Sequence, residues 1–218
     1  MIEIMKNKQG FTLAEVLITL SIIGIVAAIT IQIFYVDIIN MGLKEKLKKE
    51  YSALKNGVLA VSNEEGFLGN NYPRSTYKDK LKQHFVLHKD CSPNCFSNED
   101  LENIYKTHAK KVINTYLFDE GQFFLEDGSF IMIENFNPDR LFISVDVNGP
   151  GKKPDVWGID LFTFELLPDG RLIPSGMPNT NYSNSTLYCS NTSSHHHNGI
   201  GCTYYALFDE NYWKKVKK

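Results

Sequence analysis

Net charge is nearly absent from this sequence: 23 Lys and Arg against 25 Asp and Glu leave −2 over 218 residues. So even a balance carries no electrostatic footprint for a polyanion and no acidic tail, and no specific nucleic acid is expected as a partner. Catalytic signatures are missing as well. There is no G-x-S-x-G, no H-E-x-x-H and no phosphate loop, and no cysteine stands with a general base outside a disulfide arrangement, so nothing in the residues supports an enzyme. No internal repeat is apparent, and the length permits one globular domain of ordinary size. Proline is absent from Phe11 to Val61, so nothing there interrupts a helix.

What the chain does have is a long apolar run. Phe11 to Val36 extends for 26 residues with one formal charge, Glu15, and so exceeds the roughly 20 apolar residues a helix needs to cross hydrocarbon. An unpaired acid at mid-bilayer costs on the order of 2.5–3.5 kcal/mol, so Glu15 calls for a functional reason. A conventional secretory signal has an apolar region of about 7–15 residues and a small-x-small cleavage site. The run here is longer, and Ala27-Ala28 is followed by bulky residues. A plain signal anchor needs apolarity alone and leaves the sequence around Gly10, Phe11 and Glu15 without a role. Lys6 and Lys8 in the leader MIEIMKNKQG orient it to the cytoplasm, while Lys44, Lys46, Lys48 and Lys49 beyond the span weigh the other way.

The short basic leader, then Gly10, Phe11 and, four residues on, Glu15 resemble the type III signal of type IV prepilins and type II secretion pseudopilins. The resemblance implies that a membrane aspartyl peptidase cuts between Gly10 and Phe11 and methylates the new N-terminus, making Glu15 the fifth mature residue. It implies a structural subunit, held in the bacterial cytoplasmic membrane with its C-terminal domain outside the cytoplasm, then extracted into a pilus or pseudopilus. Its partners would be copies of itself, related pilins, the prepilin peptidase, the membrane platform of the assembly machine and the lipid bilayer. The physics is coherent: an α-amine released at the membrane boundary is a buried cation, and a neighbour's Glu15 neutralises it when subunits stack in register. Many family members carry a proline some twenty residues after the cut; the matching position here is Gln32. The other reading of the same anchor is a membrane-tethered binding module, for adhesion, DNA uptake or contact with a secreted substrate, that forms no filament.

The chain thus divides into a leader at 1–10, a transmembrane and assembly helix at 11–36, and an exported globular domain at 37–218 that includes the rear half of the long helix. In that rear half Leu43, Leu47, Tyr51, Leu54, Val58 and Val61 recur at spacings of three and four, which predicts one continuous helix of about 50 residues with a buried stripe. Ser62 to Ser75 reads as a loop, Tyr77, Leu81, Phe85 and His88 as a short helix, and Ser97 with Asp100 as a capping box opening a helix through His108. Asp127-Gly128 joins two apolar runs in a hairpin, and Leu141–Val147 and Ile159–Leu167 continue the sheet. Alternation of Phe162, Phe164 and Leu166 with Leu161, Thr163 and Glu165 predicts one packed and one solvated face. About four or five antiparallel strands against the long helix make an α+β fold, the architecture the resemblance also implies.

Four cysteines in an exported domain point to two disulfides, and of three pairings proximity favours Cys91–Cys95 and Cys189–Cys202. The rival is a zinc site of His84, His88, Cys91 and Cys95, the histidines spaced to share a helical face. His195-His196-His197 reads as solvated loop, since adjacent histidines in a floppy segment do not all point at one ion. Asp146, Asn148, Asp155 and Asp160 put hard oxygen donors on a Gly/Pro-rich connection, a candidate for structural calcium without being an EF-hand. It looks like the strand-connecting loop of pseudopilins, some of which bind calcium. Lys152 and Lys153 weigh against a cation there, and Asx-turns explain the same residues without one.

Overall fold

The computed structural model describes residues 10–65, 74–91, 94–134 and 140–216, so the leader ahead of Gly10 and part of the Ser62–Ser75 connection lie outside it. The chain divides into two compact units, Met1–Asn40 and Met41–Lys218.

Helix α1, Leu13–Glu65, contributes to both units and is continuous through Gln32. In the first unit its apolar side chains are bare: over Leu13–Ile31, mean hydropathy 2.3, none is buried. Its hydroxyls are nonetheless spoken for. Thr19, Ser21 and Thr30 donate back to the carbonyls of Glu15, Leu17 and Val26, at 3.0, 2.7 and 2.9 Å, so their side chains need no water.

In the second unit the stripe packs. Leu43, Leu47, Leu54, Val58 and Val61 are all buried, and Tyr51 stacks on Phe164 with ring centres 5.1 Å apart. Gly57 lets the Phe85 ring approach the helix closely, since a Cβ there would sit 3.1 Å from it. Lys49 bonds to Asp127 in the hairpin turn, and Glu50 is buried beside them.

The sheet is a six-stranded antiparallel meander: β1 Leu87–Cys91, β2 Gly121–Leu125, β3 Phe130–Glu134, β4 Leu141–Asp146, β5 Leu161–Leu166 and β6 Leu172–Pro174, adjacent in chain order. The strand count exceeds the expectation because of β1. Helix α2, Arg74–Lys82, stops there, and Gln83, His84 and Phe85 close it with N–H bonds three residues back. Leu87 to Asp90 then enter the sheet edge with mostly exposed side chains, so their sequence shows no alternation to read. The capping box is present: Ser97 and Asp100 open α3, Asn98–Ile104, which ends before His108.

Both faces of the sheet are covered, not one. Ile131, Ile133, Ile143, Val145, Phe162 and Phe164 share the face on which Tyr51 lies. On the other, Phe130, Met132 and Leu161 join Tyr105, Phe118, Trp157 and Ile200 in a second buried cluster. The expected solvated row of β5 is therefore interior, and its polar members are paired. Thr163 bonds to Ser144, to the Trp157 indole and, through its N–H, to Thr203 of α5, Cys202–Phe208. Glu165 takes Arg140 and Ser175. Helices α4, Ser185–Tyr188, and α6, Tyr212–Lys215, complete the C-terminal cover.

Candidate functional site

At the start of α1, Thr12 and Glu15 bind each other reciprocally. The Thr12 N–H and hydroxyl both donate to Glu15 Oε2 at 2.8 Å, and the Glu15 N–H donates to Thr12 Oγ1 at 3.3 Å. This is a capping box, with the acid also placed where the helix dipole favours negative charge. Sequence reasoning assigned Glu15 a role between subunits and missed this one. The spacing of a Thr three residues before a Glu would have found it. Gly10 and Phe11 are exposed just ahead.

Residues 5–31 match the prokaryotic N-terminal methylation motif. The chain carries a prepilin-type signal. That signal is the one found on type IV pilins and pseudopilins, proteins that are in general structural and not enzymatic. No curated protein and no solved structure matches the chain. Its head must be read from its own geometry.

The loop from Asp146 to Asp160 holds three aspartates that are wholly buried. Asp146 accepts from the Tyr105 hydroxyl at 2.7 Å and from the N–H groups of Asn148 and Gly149 at 3.1 and 2.9 Å. Asp160 accepts from the Asp155 and Val156 N–H groups, both at 2.8 Å. Asp155, itself at φ +53°, accepts from the Gly151 N–H and lies 2.9 Å from the Lys153 ammonium. The aspartate oxygens are thus engaged by backbone N–H groups of the loop, by the Tyr105 hydroxyl and by the Lys153 ammonium. Asn148 Oδ1 alone among the side-chain oxygens of these four residues has neither a hydrogen bond nor an ion pair. Burial pushes the Asp160 and Asp146 carboxyls up, and the carboxylates repel one another in the same direction.

The disulfides are Cys91–Cys95 and Cys189–Cys202. No thiolate is left for zinc at Cys91 and Cys95, and the histidines of that rival site do not share a helical face. His84 sits in the turn after α2, 3.5 Å from Glu64, and His88 is on β1. His108 lies near Cys189 and Cys202, whose sulfurs are likewise oxidised.

The three adjacent histidines depart furthest from expectation, because their loop is fixed. Buried Asn198 donates to the Ser190 and Ser193 carbonyls at 2.7 and 3.0 Å and accepts from the Ser190 N–H at 2.9 Å. The N–H of Asn114 donates to His196 O and that of His108 to Asn198 O. His197 packs edge-on to Trp157 and Tyr182, and His195 to Tyr188. Burial, and after it the neighbouring imidazoles, lowers the His197 ring to about 4. Elsewhere, a cleft of about 460 Å³ between Tyr116, Phe142 and Tyr182 brings Asp119, Glu120 and Glu134 together.

Proposed function

We propose that the chain is the precursor of a structural subunit of a type IV pilus-like or pseudopilus filament, cut between Gly10 and Phe11 by a prepilin peptidase. What carries the reading is the conjunction of the signal at 5–31 with a helix whose apolar side chains are unburied over Leu13–Ile31. Such a surface does not persist in water. Lipid of the cytoplasmic membrane covers it first, and the helices of other copies and related pilins replace lipid on assembly, the head staying on the far side of the membrane. Glu15, already fixed on its own first turn, then faces the Phe11 amine of a neighbour and sets the register.

N-terminal sequencing after co-expression with a prepilin peptidase tests the first step. The mature chain should begin at N-methylated Phe11, and Gly10→Ala should accumulate uncut. Glu15→Ala should be cleaved normally and yield few or no filaments; undiminished filament yield would refute the register role. A chain that is processed yet never pellets or crosslinks along Phe11–Val36 would instead be a tethered binding module.

A further inference from the structure

The loop closed by Cys189–Cys202 gathers three imidazoles. His195, His196 and His197 each bring one ring nitrogen within 4.8 Å of the other two, and their ring centres are 4.5, 4.4 and 5.6 Å apart. Three imidazoles on one tetrahedral ion, each with a nitrogen at roughly 2.0–2.1 Å, bring those nitrogens to about 3.3 Å of one another and splay the rings, so the cluster, with His195 and His196 stacked at 25°, is near that arrangement without yet adopting it. Binding an ion therefore requires the three side chains to rotate about their own torsions.

Two features make this a formed site and not three neighbours by accident of sequence. The backbone is held on both sides, by the disulfide and by the side chain of buried Asn198, and from outside the loop by Asn114 and His108. The His197 N–H donates to His195 Nδ1 at 3.0 Å, which orients that ring and leaves its Nε2 as the nitrogen available for a metal.

We propose that His195, His196 and His197 form a binding site for a transition-metal dication of the zinc and copper class. The donor set is imidazole nitrogen alone, which suits these ions and is foreign to calcium and magnesium, with their preference for oxygen. Neither Cys189 nor Cys202 takes part, so the site is compatible with the intact disulfide. Three protein ligands leave a fourth position for water. His196, the exposed member of the three, turns that position toward solvent. This assignment does not depend on filament assembly.

The test uses the full-length protein without a purification tag, solubilised in detergent, stripped with a chelator and titrated calorimetrically with Zn²⁺ alone. One ion should bind per chain in the micromolar range or tighter, and Ca²⁺ should give no signal. His196→Ala removes the exposed ring of the three. His195→Asn keeps an acceptor for the His197 N–H. Each should weaken Zn²⁺ binding about tenfold or more. With Cu²⁺ in place of Zn²⁺, electron paramagnetic resonance should show nitrogen hyperfine structure that simplifies in either variant. No Zn²⁺ binding by the wild-type chain, or binding that both substitutions leave unchanged, would overturn the assignment.

Discussion

Glu50 is a carboxyl that the fold withholds from water, with 1% of its surface exposed. Burial first, and then the hydrogen bond and charge of Asp127, push it up to about 7, while Lys49 pulls the other way. Asp127 itself is held well below the usual carboxylate range. Burial works to raise it, but hydrogen bonds from Lys49, the Ser129 N–H and Glu50 prevail. An acid that binds its proton more tightly folded than unfolded, where it titrates near 4.5, favours the folded state at low pH. That advantage is complete below the unfolded value, shrinks as pH rises and is gone above about 7. Thermal unfolding of the full chain in detergent should therefore show stability falling from pH 5 to pH 7.5. Glu50→Gln, whose amide can donate to Asp127, should flatten that slope and gain about 1–2 kcal/mol at the upper end. Asp160 should tolerate an amide less well than Glu50, because both of its oxygens accept N–H groups. Asp160→Asn turns an NH₂ toward one of those donors and should cost about 1–3 kcal/mol at neutral pH, read as a lowered denaturation midpoint. Each carboxylate oxygen that accepts an N–H keeps a second lone pair, so whether the loop holds calcium is read directly from the wild-type midpoint with and without millimolar Ca²⁺: a raised midpoint means binding.

Elements differ in how openly the sequence announces them. The buried stripe of α1 is plain, since Leu43, Leu47, Leu54, Val58 and Val61 are both periodic and interior. The hairpin is equally plain: Asp127-Gly128 has the turn chemistry, and Gly128 adopts φ +88°. Strand β1 is hidden because a sheet edge with exposed side chains has no alternation to betray it, and the preceding helical spacing runs straight into it. The interior position of Thr163 and Glu165 is hidden for another reason. What covers them, Thr203 and Ser175, comes from later in the chain, and no local pattern reports a distant lid. The histidine loop combines both difficulties, its rigidity depending on Asn114 and His108 some eighty residues away. Its staple should matter energetically: joint replacement of Cys189 and Cys202 by Ser releases a connection 13 residues apart in sequence, at about 3 kcal/mol by chain entropy. The double variant should melt lower and be cut by protease within 189–202.

For the whole molecule, one part of the chain is legible as a signal and the other as a fold. Residues 5–31 are legible from a handful of positions because a short motif is defined by residue identity and spacing. The α+β architecture of the second unit depends instead on packing between residues distant in sequence.

The meander has two margins. One is β1, where the register slips between Leu87 and Lys89 and charged Lys89 and Asp90 stand outward. The other is β6, three residues long and ending in a proline that has no N–H to offer. Neither invites a foreign segment to extend the ladder. The sheet is thereby spared from zipping edge to edge with a second copy, and any contact between copies falls to side chains.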